Sequence, residues 1–414
     1  MFQPIWSPID EYNHFFYTNY LYYQHRPPVI GMMYQGTTDP HVDPALAVPP
    51  SHGRGVAMPS LNPSSEAIQP PGYYLLMVPA FVTAPHLSDD QVIHVRLATV
   101  ALAAFVVPFT FALARLAAPS TPWVWAAASV LPALSRGYTF NLSQVTNDAL
   151  AAFVGGAAAL VLFWLLRHRL DWRWGVIAGA VTGLAAISKV TVYFVGIAFA
   201  AAFLVRLARH RNWRGALTAA AVGIVIPALV TLPWLVLNLR RYHTLVGNTA
   251  FPANLNPYHN LPLLDALRVM VQLGSIKFWV GEIGIPEPPL WLVAVGEIGL
   301  IGCAAGLITA IWSRRSFFPN QAVVIAWTAI GLGYLFVLVL STHVAILAGR
   351  YLYPLFPALA TVAALGADRL GWAGRWLFIA SALALAALTV IGLQQALDWV
   401  TASCNNCALA PIHP

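Results

Sequence analysis

Charge is what this 414-residue chain has least of: 9% of its residues are Asp, Glu, Lys or Arg, against 59% that are hydrophobic. So little polar surface cannot cover a soluble globule, which excludes that class. A mean hydropathy of +0.68 agrees. Lysine occurs only as Lys189 and Lys277. The basic excess behind the net charge of +7 serves membrane orientation or is scattered among apolar stretches, so nucleic acid is set aside as a partner. The three cysteines speak against a zinc site, because none stands with other Cys or His at metal-ligand spacing. Cys404 and Cys407 could close a local disulfide in an oxidising compartment, and Cys303 lies inside an apolar run. The chain also lacks an internal repeat of solenoid period and any soluble stretch large enough to fold alone.

Long apolar runs are what it has instead. A hydrocarbon core of about 30 Å takes about 20 residues of helix, and about ten stretches qualify. They are 92–116, 121–137, 146–166, 173–188, 190–208, 215–238, 289–312, 320–342, 350–367 and 374–397. The expected fold is all-α, a polytopic transmembrane helical bundle whose extracytoplasmic loops carry short interfacial helices. Orientation follows from the connections between the runs. Arg115; Arg167, Arg169 and Arg173; Arg206, Arg209, Arg211 and Arg214; Arg314 and Arg315; and Arg369 and Arg375 fall in five of them, with only Asp171 and Asp368 as acids. By the positive-inside rule these connections are cytoplasmic. The organisation is then an extracytoplasmic loop over 1–91, a bundle over 92–238, a second extracytoplasmic loop over 239–288, a bundle over 289–397 and an extracytoplasmic tail over 398–414. A polar first segment of this length needs a leader to cross the membrane, and nothing before Pro4 is apolar enough; a first helix encoded upstream is the expectation.

The polar chemistry gathers in the two long loops. Within Ser7-Pro-Ile-Asp10-Glu11-Tyr-Asn-His14-Phe15, two carboxylates and a histidine share one helical turn. Ser7 as helix cap, Pro8 at the first helical position and acids in the first turn account for the run structurally. A carboxylate held at the membrane surface would equally serve as general base on an acceptor hydroxyl, or as ligand to a divalent metal, which would fall to Asp10 and Glu11. His14 either polarises one of them or is a hydrogen-bonded structural residue. Residues 73–85 read as a short interfacial helix opened by Pro70 and Pro71. Lys189 interrupts an apolar stretch, where a charge is expensive; it either binds an anion or snorkels to headgroups. Arg350 can take a phosphate bidentately, with Tyr351 adding a hydroxyl. Arg96 and Arg136 are further cations of the same kind, or headgroup anchors. Asp148 follows Thr146 and Asn147 at a helix start, where capping also explains it.

The ordered set of Pro8-x-Asp10-Glu11-x-x-His14-Phe15, Gln69-Pro-Pro-x-Tyr73-Tyr74, Asn147-Asp148 and Gly349-Arg350-Tyr351-x-x-Pro354 resembles the GT-C class of integral membrane glycosyltransferases. That class includes protein O-mannosyltransferases and lipid A aminoarabinose transferases. The resemblance is nearest to a bacterial family of predicted membrane proteins catalogued as a domain of unknown function. It implies a transferase of the bacterial cytoplasmic (inner) membrane, active on the outer side. Such an enzyme moves a sugar from a polyprenyl phosphate donor to an extracytoplasmic glycan, lipid or protein. It also implies site residues: Asp10 as base, with Glu11 and His14 beside it; Lys189, Arg350, Tyr351 and Arg96 for the donor phosphate; and Gln69, Tyr73 and Asp148 as further loop contributors. No cofactor is implied beyond the lipid-linked sugar substrate and a metal, if one is used. Two other classes use intramembrane charges and many helices: a transporter or flippase of lipid-linked sugars, and a noncatalytic subunit of an envelope-assembly complex. Paired broken helices from internal repeats would mark a transporter, and none are evident.

Overall fold

The computed structural model describes residues 11–36, 41–48, 62–63, 66–86, 88–209, 213–245, 262–269, 278, 289–312, 321–343 and 349–403. Helix α1 (Glu11–Gln24) opens the described chain, and α2 (Gly72–Val82) follows a polar stretch. That stretch contains a feature the all-α expectation lacked, a small sheet of β1 (Met33–Gly36), β2 (Ala47–Val48) and β3 (Asn62–Pro63) in the order β2-β1-β3. Pairing is parallel on one side of β1 and antiparallel on the other. So short a sheet has no hydropathy signature; α1 shapes it, through Asn19 Nδ2, which donates to the Pro44 and Ala47 carbonyls at 2.8 Å.

The bundle proper begins with α3 (Asp89–Ala104) and α4 (Val106–Ala117), which continue one another past Phe105. Next come α5 (Pro122–Leu134), α6 (Arg136–Leu142), α7 (Asp148–Arg167), α8 (Trp172–Ser188), α9 (Phe194–Arg209) and α10 (Trp213–Tyr242). The short α11 (Leu263–Val269) precedes α12 (Leu290–Trp312), α13 (Gln321–His343), α14 (Phe356–Arg369) and α15 (Gly371–Ser403). Five stretches are long and apolar enough to cross a bilayer among the described residues: Asp89–Ala117, Asp148–Arg167, Val190–Ala208, Trp213–Tyr242 and Gly371–Gln395. With the shorter apolar helices between them, the chain is an integral membrane protein.

Two of the expected spans end differently. The stretch 121–137 stops at Leu134, because Ser135 turns extended and its hydroxyl caps α6 by accepting from Tyr138 N. The stretch 350–367 starts as a 3-10 turn over Gly349–Leu355 and becomes α-helix only at Phe356. This turn lies directly on α7. A β-carbon at Gly155 would collide with the Pro354 carbonyl oxygen, so the close approach depends on glycine there.

Helix α2 behaves as an interfacial element: Tyr73, Tyr74, Met77 and Phe81 are buried, whereas Leu75, Leu76 and Val82 are exposed. The polar stretches meet at one end of the bundle. Tyr242 at the end of α10 accepts from Ile30 N at 3.1 Å, and Arg241 donates to the carbonyls of Pro27 and Pro28.

Candidate active site

Helix α1 presents Glu11 and His14 to the bundle, and both are fully enclosed. Glu11 is not a free carboxylate. Arg96 of α3 donates from Nε to its Oε1 at 2.6 Å and from Nη2 to its Oε2 at 2.5 Å. Val145 N donates to the same Oε1 at 3.0 Å. This bidentate pair joins the first helix to α3 and to the turn that opens α7. Tyr73 of α2 makes a parallel joint, its hydroxyl 2.6 Å from Thr99 Oγ1 while accepting from Thr146 N at 3.0 Å.

Asp148 starts α7, yet its carboxylate is not spent on capping. The Lys189 ammonium donates to Oδ1 at 2.6 Å, and Arg350 Nε lies 3.5 Å from Oδ2, a charge contact without hydrogen-bond geometry. Thr146 Oγ1 supplies the local cap, accepting from Asp148 N at 3.3 Å. Lys189 sits 4.8 Å from the centre of the Tyr351 ring, and the Arg350 guanidinium 5.9 Å from it. The lysine does not snorkel: it is 4% exposed, and Arg350 is 8% exposed.

His14 is close enough to this cluster to respond to it. Burial, then the charges of Lys189 and Arg350, hold its pKa well below the ordinary imidazole value, so the ring is neutral. The Glu66 carboxylate is 3.9 Å from Nδ1. Tyr74 fixes the ring, with its hydroxyl 2.8 Å from Nδ1.

Around the cluster stand hydrogen-bonding groups with nothing to bond among the described residues. Asn147 is fully buried, and both polar atoms of its side chain lack a partner there. Asn141 Oδ1, Gln144 Nε2 and Thr191 Oγ1 are in the same condition, although Asn141 Nδ2 donates to the Tyr353 hydroxyl at 2.7 Å. Orphaned buried polar groups are rare and costly. Such atoms occur at several places along the described chain, and Asn141, Gln144, Asn147 and Thr191 are the ones that lie near Asp148 and Lys189 in sequence.

Of the residues expected from sequence, Glu11, His14, Tyr73, Arg96, Asp148, Lys189, Arg350 and Tyr351 converge on this end of the bundle. Gln69 contributes its backbone carbonyl, which accepts from the Tyr17 hydroxyl at 3.1 Å. Asp10 lies outside the described residues, as do Ser7, Pro8, Cys404 and Cys407. Among the described residues no group of three or more His, Cys, Asp or Glu is placed to hold a metal ion, and Glu11 already faces Arg96. Tyr74 belongs to the Gln69–Tyr74 run already singled out in the sequence, whereas Glu66, Asn141, Gln144 and Thr191 are additions to the set expected from it. Their one sequence signal is polarity inside or beside apolar runs.

Among the described residues Glu11 pairs with Arg96, and Asp148 stands between Lys189 and Arg350.

The model of the family described as glycosyltransferase family 87 matches residues 68–342. Among solved structures, apo ArnT from Cupriavidus metallidurans is similar over 74% of this chain and 51% of its own length, at 17% identity and a TM-score of 0.49. The same protein bound to undecaprenyl phosphate is similar over 74% and 52%, at 20% identity and a TM-score of 0.47. The apo oligosaccharyltransferase of Archaeoglobus fulgidus is similar over 94% and 52%, at 14% identity and a TM-score of 0.49. The chain therefore spans about half the length of the solved structures it matches. No curated protein matches it in sequence. The family model runs through Arg96, Asp148 and Lys189 and covers well over half of the sequence: the chain belongs to glycosyltransferase family 87.

Proposed function

We propose that the chain transfers a sugar from a polyprenyl phosphate to a hydroxyl-bearing acceptor on the outer face of the cytoplasmic membrane. The observation that carries this reading is the pair of buried cations, Lys189 and Arg350, gathered on Asp148 near amides and a hydroxyl that have no hydrogen-bond partner among the described residues. Lys189 and Arg350 would hold the donor phosphate and stabilise the charge that develops on its bridging oxygen as the glycosidic bond breaks. Tyr351, stacked against both cations, would position them. Asn147, Gln144, Asn141 and Thr191 would meet sugar hydroxyls through the atoms that have no partner among the described residues.

Asp10 is the proposed base. The acceptor oxygen bonds to the anomeric carbon, the carbon–phosphate oxygen bond breaks with its electrons, and the acceptor's proton passes to the Asp10 carboxylate. Glu11 supports this division of labour, since both of its oxygens are engaged by Arg96, which suits it to orient the turn beside Asp10. Arg96 is matched by the same pair and is left out of the phosphate clamp. His14, neutral and held by Tyr74, would be a hydrogen-bonding neighbour of the phosphate.

The outer placement rests on the basic connections and is supported by the contacts of Arg241 and Tyr242 with residues 27–30, which join the two polar segments at one end of the bundle. The test is transfer of radiolabelled sugar from polyprenyl phosphate donors in membranes that contain the protein. Asp10→Asn should lower the rate about 10²- to 10⁴-fold and Ser7→Ala should barely change it. Near-normal transfer by Asp10→Asn would remove Asp10 from the chemistry, and absence of transfer from every polyprenyl phosphate sugar tried would sink the reading.

A further inference from the structure

Tyr74 of α2 is fully buried, so its phenolic proton has to be accepted inside the protein. Among the described residues its hydroxyl meets one hydrogen-bond partner, His14 Nδ1 at 2.8 Å. A proton on Nδ1 would point at the phenol oxygen and strand the phenolic proton, at the cost of an unsatisfied buried donor. Nδ1 is therefore the acceptor. The ring is neutral, and a neutral imidazole carries a single proton, which then sits on Nε2. Glu66 does not compete for Nδ1, because 3.9 Å is outside hydrogen-bond reach.

Packing holds both rings in this arrangement. Tyr17 stacks on Tyr74 with ring centres 3.7 Å apart and planes 7° from parallel, and the Tyr73 ring meets Tyr74 edge-on. Tyr17 is itself tied to the Gln69 carbonyl by its hydroxyl. The two nitrogens of an imidazole point to different sides of the ring, so the Nε2–H bond is directed away from Tyr74. It does so close enough to Lys189 and Arg350 for their charges to act on the ring. We infer that Tyr74 is a positioning residue of the donor site, which fixes the His14 tautomer so that Nε2–H is offered to a phosphate oxygen of the polyprenyl phosphate. This deepens the donor reading above and rests on it. A donor without charge adds a directed bond where a further cation would repel Lys189 and Arg350.

The test combines nitrogen-15 spectra of the histidine-labelled full chain in detergent with direct titration of undecaprenyl phosphate. His14→Gln identifies the His14 signal among the twelve histidines. The wild type should show a protonated Nε2 and a bare Nδ1, which needs no variant to fold. Tyr74→Phe keeps the stacked ring but removes the hydroxyl, so Nδ1–H should appear and undecaprenyl phosphate should bind about tenfold more weakly. A glutamine amide nitrogen reaches the place of Nε2 and an asparagine amide nitrogen that of Nδ1, so His14→Gln should lose less affinity than His14→Asn. Tyr74→Phe should cost nothing further in the His14→Gln background, which has no tautomer to set. A wild-type ring protonated on Nδ1 overturns the inference outright. Weaker binding by Tyr74→Phe with the tautomer unchanged overturns the positioning role, and a changed tautomer with equal affinity overturns the bond to phosphate. A wild type with the Nε2–H ring that binds no undecaprenyl phosphate overturns the donor reading itself.

Discussion

Asp148→Asn separates a phosphate clamp from a mere helix cap. The carboxylate stands 2.6 Å from Lys189 Nζ and 3.5 Å from Arg350 Nε, and its side chain is almost wholly buried. The neutral amide takes its charge away from two buried cations, which should cost the empty protein about 3–5 kcal/mol of stability. A bound phosphate feels the opposite effect. One negative charge fewer at about 6 Å, with an effective dielectric of about 20, is worth about 3 kcal/mol of attraction. Even at half that value, affinity for polyprenyl phosphate should rise about tenfold. The assay is thermal unfolding in detergent with and without undecaprenyl phosphate, paired with direct binding. The variant should melt well below the wild type when empty and regain about 2.7 kcal/mol when the lipid reaches a hundred times its Kd. If Asp148 were only a cap, stability would drop by about 1 kcal/mol and affinity would not move. A fall in affinity, or no change, would refute the clamp.

Glu11→Gln should cost about 3–5 kcal/mol by stranding Arg96, and the double variant with Arg96→Gln should be less damaged than the sum of the two singles, as a double-mutant cycle of unfolding will show. Additive losses would mean that the pair is not coupled. His14 predicts an acid limb in stability: its folded pKa is depressed by burial, Lys189 and Arg350, so the unfolded chain takes up a proton first as pH falls through about 6.5. Stability present above that pH should decline below it by up to about 1.4 kcal/mol per pH unit, and His14→Gln should flatten the limb; an unchanged slope would assign it to other groups. For sidedness, single cysteines at Asn62 and Asn254, in a background without native thiols, should react with an impermeant maleimide on intact cells, whereas one at Arg211 should not. Labelling confined to position 211 would invert the whole topology.

Hydropathy and charge are written along the chain, and whatever depends on them alone is legible in the order of its residues. The apolar runs from 92 onward are helical, and the interfacial helix expected near 73–85 is α2. The candidate residues are visible there too, because Glu11, Arg96, Asp148, Lys189 and Arg350 are charges that an apolar context makes conspicuous. Who pairs with whom is not visible. Glu11 finds Arg96 across 85 residues and Asp148 finds Lys189 across 41, through helix packing that has no periodicity to betray it. Arg350 reaches the same carboxylate only because Gly155 lets the 3-10 turn rest on α7. The orphaned amides are hidden for the same reason: an asparagine at a helix start reads as a cap in any sequence, and only the structure shows that the Asn147 side chain makes no cap bond. Local chemistry dictates that a buried charge must find a partner, but which partner is chosen is a property of helices brought together from far apart in the chain.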